Sequence, residues 1–223
     1  MAGSRLRRES NDRKFGVCGI VGAVSRREVA PILIEGLKRL EYRGYDSAGL
    51  STLEDGYGLT QMREVGKVIG LEAIVAESEI NGKLGIAHTR WATHGKPSKN
   101  NAHPHVSSDE ISVVHNGIIE NFQEIKDFLA NEGYEFQSET DSEVIPHLIH
   151  YHFEAVKDLL EAVRQSVKQL RGAYAVGVIH KDHQNKLIAA RSGSPLVVGK
   201  GIGENFIASD VLALKPVTDK FIY

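Results

Sequence analysis

An α+β fold, with sheets packed on one another and helices covering them, follows from three features of the sequence. Short strand-like apolar runs come first, helical periodicities occupy the middle, and strand-like runs return in the last quarter. That order departs from the strand–helix alternation of a parallel doubly wound fold. Turn-forming Gly, Asp and Asn residues separate the runs, as between antiparallel strands.

Taken in order, Val17 to Val24 is a glycine-punctuated strand headed by Cys18, the sole cysteine. Val29, Leu33, Leu37 and Leu40 recur at helical spacing, with Pro31 tolerated near the helix start. Ala48–Leu53 and Leu59–Val65 flank Glu54-Asp55-Gly56 as a hairpin would, and Ile69 to Glu79 predicts a short helix. Leu84–Thr89 is a further strand. Arg90 to Ser108 has no sustained period and predicts a long functional loop. Ile111–Val114 is a strand ending in His115-Asn116-Gly117. Phe122, Ile125, Phe128 and Leu129 mark a helix closed by Gly133. Thr140-Asp141-Ser142 are candidate N-caps for a second helix bearing Val144, Ile145, Leu148 and Ile149. Pro146 fits that helix only in its first turn. Val156, Leu159, Leu160, Val163, Val167 and Leu170 predict one third helix. Four strands follow, at 173–180, 187–191, 196–199 and 205–209.

The 223 residues can bury a full core. A net charge of −2 without a basic stripe argues against a nucleic-acid partner. No apolar run approaches the ~20 residues of a membrane span, so no membrane partner is expected. A single cysteine excludes an internal disulfide framework and fits a reducing, cytoplasmic setting. Residues 1–14 differ from the rest, with Arg5, Arg7, Arg8, Arg13 and Lys14 against Glu9 and Asp12. Such a segment is too polar to order itself, and residues 1–17 are read as a disordered leader or a mis-called start.

Alone, Cys18 reads first as a small core residue. Four polar clusters at strand ends and loops alter that reading: Arg43-Gly44-Tyr45-Asp46, His88 to Gly95, His115-Asn116-Gly117 and Glu139-Thr140-Asp141. Together they suit a small zwitterion. An Arg fork binds a carboxylate, an Asp pairs with an ammonium, and Asn-Gly offers amide donors to an oxyanion. His88, His94, His103, His105 and His115 allow a rival zinc site, and hence a zinc hydrolase. They lack a metal-site spacing, so no metal and no cofactor is expected, and these histidines are read as ordering a polar loop.

Several long motifs in one order, namely Cys18-Gly19-Ile20-Val21-Gly22, Tyr42 to Gly49, His88 to Gly95, Asn101 to His105, His115 to Asn121, Arg191 to Leu196 and Asn205 to Asp210, resemble the N-terminal-nucleophile (class II) glutamine amidotransferases. Tyr45-Asp46 and Trp91 favour the branch that serves fructose 6-phosphate over the amidophosphoribosyltransferase type. The resemblance implies a four-layer αββα sandwich of antiparallel sheets, the N-terminal-nucleophile hydrolase fold. It implies hydrolysis of L-glutamine to glutamate and ammonia through a thioester on Cys18, whose own α-amine acts as general base. It assigns the oxyanion hole to Asn116 and Gly117, the α-carboxylate to Arg90 with Thr93, and the α-ammonium to Asp141. His94 lines the same pocket, Arg43 and Gly44 lie beside the nucleophile, and Trp91 gates ammonia.

Two departures stand against that pattern. The family nucleophile is the first residue of the mature chain, whereas seventeen residues precede Cys18. An acylated Cys18 nitrogen is no base, so the chain as written is expected to have little or no glutaminase activity; the alternative, if residues 1–17 are retained, is a blocked glutamine-binding or docking module. Val17 is read as the true start, a GTG codon that initiates as methionine, with removal of a propeptide as the second route. The domain is assigned to residues 18–223. The sugar-isomerase domains that bind fructose 6-phosphate are expected to lie outside residues 18–223, in a longer protein, and a homodimer is expected only of the full-length enzyme.

Overall fold

The computed structural model describes residues 18–54, 56–78, 80–91 and 95–223. The described elements are β1 (Gly19–Val24), α1 (Ala30–Leu40), β2 (Ser47–Glu54), β3 (Gly58–Val65), α2 (Val68–Ala76), β4 (Leu84–Arg90), β5 (His105–Ser107) and β6 (Ile111–Gly117). Then come α3 (Phe122–Asn131), α4 (Val144–Val156), α5 (Leu159–Val167), β7 (Tyr174–His180), β8 (Ile188–Ser192), β9 (Val197–Lys200), β10 (Asn205–Ala208) and β11 (Lys220–Ile222).

The strands form two antiparallel sheets, one of order β11-β9-β10-β1-β4-β2-β3 and one of order β5-β6-β7-β8. Three apolar clusters define four layers. Leu33, Leu37 and Leu40 of α1 pack with Val21, Leu50 and Phe206 on the outer face of the larger sheet. Ile20, Ile86, Val114, Ile179 and Ile207 fill the space between the sheets. Ile125, Leu148, Ile149 and Val163 of α3 to α5 cover the smaller sheet through Val113, Val176 and Val178. Each fully buried Leu or Ile stabilises the fold by about 1.5–3 kcal/mol relative to exposure. This is the αββα sandwich expected.

Local chemistry explains the differences from the sequence reading. Helix α1 begins at Ala30, with Pro31 in its first turn as expected. Pro146 lies in the first turn of α4, where it displaces no helical hydrogen bond. The apolar series from Val156 to Leu170 is not one helix. Lys157 takes a left-handed conformation with φ 53° and ends α4, and Asp158 caps α5 by accepting the Glu161 N–H at 2.8 Å. The proposed caps Thr140, Asp141 and Ser142 do not cap α4, whose N-cap position is Glu143 without a side-chain cap bond. Their side chains point elsewhere, as described below. Strands β5 and β11, three residues each, went unread because neither is long enough to show a period.

Sheet register sets up the site. Gly19 pairs with Thr89 and Ile20 with His88, so Cys18, one step before β1, sits at the strand end that also carries Arg90. On the other side of β4, Ser47 pairs with Arg90. Strand β6 of the facing sheet ends in Asn116-Gly117.

Candidate active site

A narrow cleft of about 20 Å³ is lined by Cys18, Arg90, Trp91, His103, His115, Gly117, Thr140, Asp141 and Ser142. Trp91 brackets the sulfur with its backbone. Its N–H donates to Cys18 Sγ at 3.3 Å, and its carbonyl accepts from the thiol at 3.6 Å. Burial raises the thiol pKa; the Trp91 N–H and Arg90 oppose the rise, and Asp46 adds to it. Cys18 is therefore a thiol at neutral pH, and a base must remove its proton before it can attack.

Asn116 is held at both ends of its amide. Nδ2 donates to the Cys18 carbonyl at 2.9 Å, and Oδ1 lies 2.9 Å from His88 Nε2. Burial lowers the His88 pKa to about 3, so the ring is neutral and its Nε2–H is the donor. That contact fixes which way the amide faces. Gly117 has φ 119°, and a Cβ there would sit 2.0 Å from the Ala173 carbonyl oxygen. Only glycine fits.

The charged pair on the cleft wall is buried, Arg90 at 4% and Asp141 at 4% exposure. Arg90 Nη1 lies 3.9 Å from Asp46 Oδ1, and Nη2 donates to the Gly95 carbonyl at 3.4 Å. One oxygen of Asp141 accepts the Ile119 N–H at 2.7 Å. Its neighbours are tied down too: Thr140 Oγ1 lies 3.1 Å from His105 Nε2, and Ser142 Oγ lies 2.7 Å from His115 Nδ1. Three consecutive residues thus hold one short segment to His105 in β5, to His115 in β6 and to Ile119 just after β6.

Gly44, with φ 142°, lies against Trp91; a Cβ there would come within 2.6 Å of the indole. The preceding Arg43 is turned toward Asp210, 3.8 Å from its carboxylate, and its Nη1 is buried without a hydrogen bond. Trp91 itself is 47% exposed at the cleft mouth. Thr93 and His94 fall outside the described residues.

His88, His103, His105 and His115 were legible as a group but not in their roles. Their rings pack against one another tilted or edge-on, with His103 centred 4.1 Å from His88 and 4.6 Å from His105. Among the described residues they form no set of converging ligand atoms. Burial lowers the pKa of His105 to about 3 and of His115 to about 4, and that of His103 well below its usual value. They form a neutral buried wall behind the cleft. The orienting role of His88 and the ties at Thr140 and Ser142 had no signature in the sequence, because each depends on a partner in another element.

Residues 88–216 match the profile of the glutamine amidotransferase domain family. The chain is 60% identical to a glutamine–fructose-6-phosphate aminotransferase (isomerizing) of Acinetobacter baylyi, over 93% of this chain and 34% of that protein. It is 57% identical to the enzyme of that name from Pseudomonas aeruginosa, over the same shares. The chain thus spans about a third of the length of these relatives. Among solved structures it resembles the glutamine phosphoribosylpyrophosphate amidotransferase of B. subtilis complexed with ADP and GMP. The TM-score is 0.78 at 29% identity, covering 92% of this chain and 44% of that one. A glutamine aminotransferase class-II domain protein from Silicibacter pomeroyi shares the fold alone, with a TM-score of 0.59 at 16% identity. With the fold, the cleft and the sequence all in agreement, the chain belongs to the glutamine amidotransferase domain family.

Proposed function

We propose that this domain hydrolyses L-glutamine to glutamate and ammonia, with Cys18 as nucleophile. The observation that carries the reading is one cleft holding a thiol, a buried Arg90, a buried Asp141 and the Gly117 turn. Glutamine presents a carboxylate, an ammonium and a side-chain amide, and the wall offers a counterpart to each. Arg90 takes the α-carboxylate, with Thr93, and Asp141 takes the α-ammonium through the oxygen not engaged by Ile119.

The chemistry requires the thiol proton to leave first. A free α-amine on Cys18 has a reference pKa of about 7.7–8.0 against ~8.5 for an ordinary thiol, a nearly thermoneutral transfer that burial of this thiol makes uphill. The thiolate adds to the amide carbon, and the oxyanion is met by the Asn116 Nδ2 donor and the Gly117 N–H. The ammonium form of the amine returns its proton to the departing nitrogen, and ammonia leaves a glutamyl thioester on Sγ. Water, deprotonated by the same amine, attacks the thioester, and glutamate and the thiol are regenerated. His94 lines the pocket in this scheme, and Trp91, backed by Gly44, closes the cleft mouth and gates ammonia. Arg43 anchors the neighbouring turn to Asp210.

Because the nitrogen of Cys18 is an amide while Val17 is attached, processing between them switches the enzyme on. In the longer protein the ammonia passes to fructose 6-phosphate bound by isomerase domains, giving D-glucosamine 6-phosphate in a cytoplasmic homodimer. The 57–60% identical relatives support this over an amidophosphoribosyltransferase partner, against which the chain is 29% identical. The test is glutamate release by protein beginning at Cys18, compared with protein retaining residues 1–17. Activity confined to the first form supports the proposal. Glutamine binding without release by both forms would make the domain a docking module.

A further inference from the structure

On the face of the smaller sheet remote from Cys18, four titratable side chains meet at the junction of three elements. Glu110 immediately precedes β6, His150 and Glu154 are one turn apart on α4, and His180 ends β7. Ligand atoms of Glu110, His150 and Glu154 all lie within 4.8 Å of one another. His150 Nε2 is 3.7 Å from Glu110 Oε2. The carboxylates also hold lysines, Lys181 on Glu110 Oε1 at 2.6 Å and Lys157 on Glu154 Oε1 at 2.7 Å. Each lysine engages one oxygen and leaves the other.

His180 supplies the independent observation. Its side chain is fully buried, and its Nδ1 accepts the Asp182 N–H at 3.0 Å. The neutral ring therefore carries its proton on Nε2, and that buried donor has no hydrogen-bond partner among the described residues. It faces Glu110 Oε2 at 3.9 Å, too far for a hydrogen bond, with the ring packed on Phe153 at 4.3 Å. A buried donor aimed into a cluster of ligand atoms calls for an acceptor placed between them.

We propose that Glu110, His150 and Glu154 bind a divalent transition metal of the zinc type, with a metal-bound water that accepts the His180 Nε2–H. Three protein ligands and one water complete a tetrahedron, whose ligand atoms stand about 3.3–3.6 Å apart at ordinary zinc bond lengths. The 3.7 Å separation of His150 and Glu110 is close to that span. Tyr134 Oη lies 2.8 Å from His150 Nδ1, and in the metal-bound form it accepts the Nδ1 proton, which leaves the Nε2 lone pair for the metal. Imidazole among the donors selects zinc, cobalt or nickel over magnesium and calcium. The metal clamps α4 to the ends of β6 and β7, and it is independent of the glutaminase reading.

The experiment is cobalt(II) titration of the full chain carrying Cys18→Ala, which removes the one competing thiol. One equivalent with tetrahedral visible absorption, lost in His150→Gln and weakened about 10–100-fold in Tyr134→Phe, is the expected result. The metal-free thermal midpoint of each variant checks that it folds. If His150→Gln does not fold, the exposed Glu154→Gln must lose the site instead. Absence of saturable binding, binding indifferent to these substitutions, or displacement of cobalt by equal magnesium would each overturn the proposal.

Discussion

His88 Nε2 stands 2.9 Å from Asn116 Oδ1, and this contact aims the Asn116 amide protons toward the Cys18 carbonyl. The ring comes from β4 and the amide from β6, so the orientation is set across the two sheets. His88→Ala should lower kcat for glutamine hydrolysis while leaving KM nearly unchanged. The fall should be smaller than the ~10²–10³ expected for Asn116→Ala, which deletes an oxyanion donor. His88→Gln keeps a donor and should recover part of the rate. A KM effect as large as the kcat effect would show that His88 acts on binding.

Arg90 is assigned the α-carboxylate, and glutamine affinity tests it. Arg90→Ala should weaken glutamine binding much more than Cys18→Ala does, measured by calorimetry on protein beginning at Cys18. Arg90→Lys should recover little, since a lysine cannot supply the guanidinium fork. Unchanged affinity in Arg90→Ala would remove the carboxylate role.

Gly117 tests backbone geometry. Gly117→Ala places a Cβ against the Ala173 carbonyl oxygen and forces φ 119° on a residue that resists it. The strained backbone alone costs about 1–3 kcal/mol. The urea midpoint should fall by at least that equivalent, with m unchanged. A midpoint at the wild-type value would show that the turn can relax.

The neutral histidine wall predicts acid sensitivity. His88, His105 and His115 have folded pKa values of about 3, 3 and 4, below the ordinary value near 6.5. Between those limits the unfolded chain binds more protons than the folded one. Their contribution is complete above pH ~6.5 and is lost as pH falls toward 3–4, by up to about 1.4 kcal/mol per pH unit for each ring. His103, lowered well below its usual value and without a side-chain hydrogen-bond partner among the described residues, belongs to the same wall. His103→Phe should flatten the fall of stability between pH 6 and 4, followed by urea unfolding at stepped pH. An unaltered slope would remove His103 from the titrating set.

The raised thiol pKa predicts slow alkylation. With residues 1–17 attached, iodoacetamide should react with Cys18 sluggishly at pH 7, and the rate should climb with pH beyond the ordinary thiol range. Protein beginning at Cys18 should react faster at pH 7, because its amine can accept the proton. Equal rates would deny the amine that role.

Much of this was written in the sequence, and the exceptions share a cause. Apolar runs and periodicity located α1, β4, β6 and β7, and the turn residues at 54–56 located the β2–β3 hairpin, although β3 is only half-buried. The motifs around Cys18, Arg90 and Asn116-Gly117 marked strand ends, and the sheet register brings those ends together. Thr140, Asp141 and Ser142 were misread as caps, since side chains that cap helices locally serve equally well for bonds across the fold. His150 and His180 gave no signal at all. Their neighbours come from Glu110 and Tyr134, which no one-dimensional spacing connects to them.

The three ties at residues 140–142 constrain how the chain can vary in length. Thr140 is bound to His105, Asp141 to Ile119 and Ser142 to His115, so removing one residue between 138 and 143 would shift every partner at once. No single compensating substitution restores three contacts. The turn at Gly133 has open space where a side chain would stand, and it makes none of these three contacts. Insertions and deletions in this part of the domain should therefore collect around Gly133 and stop short of Ser138.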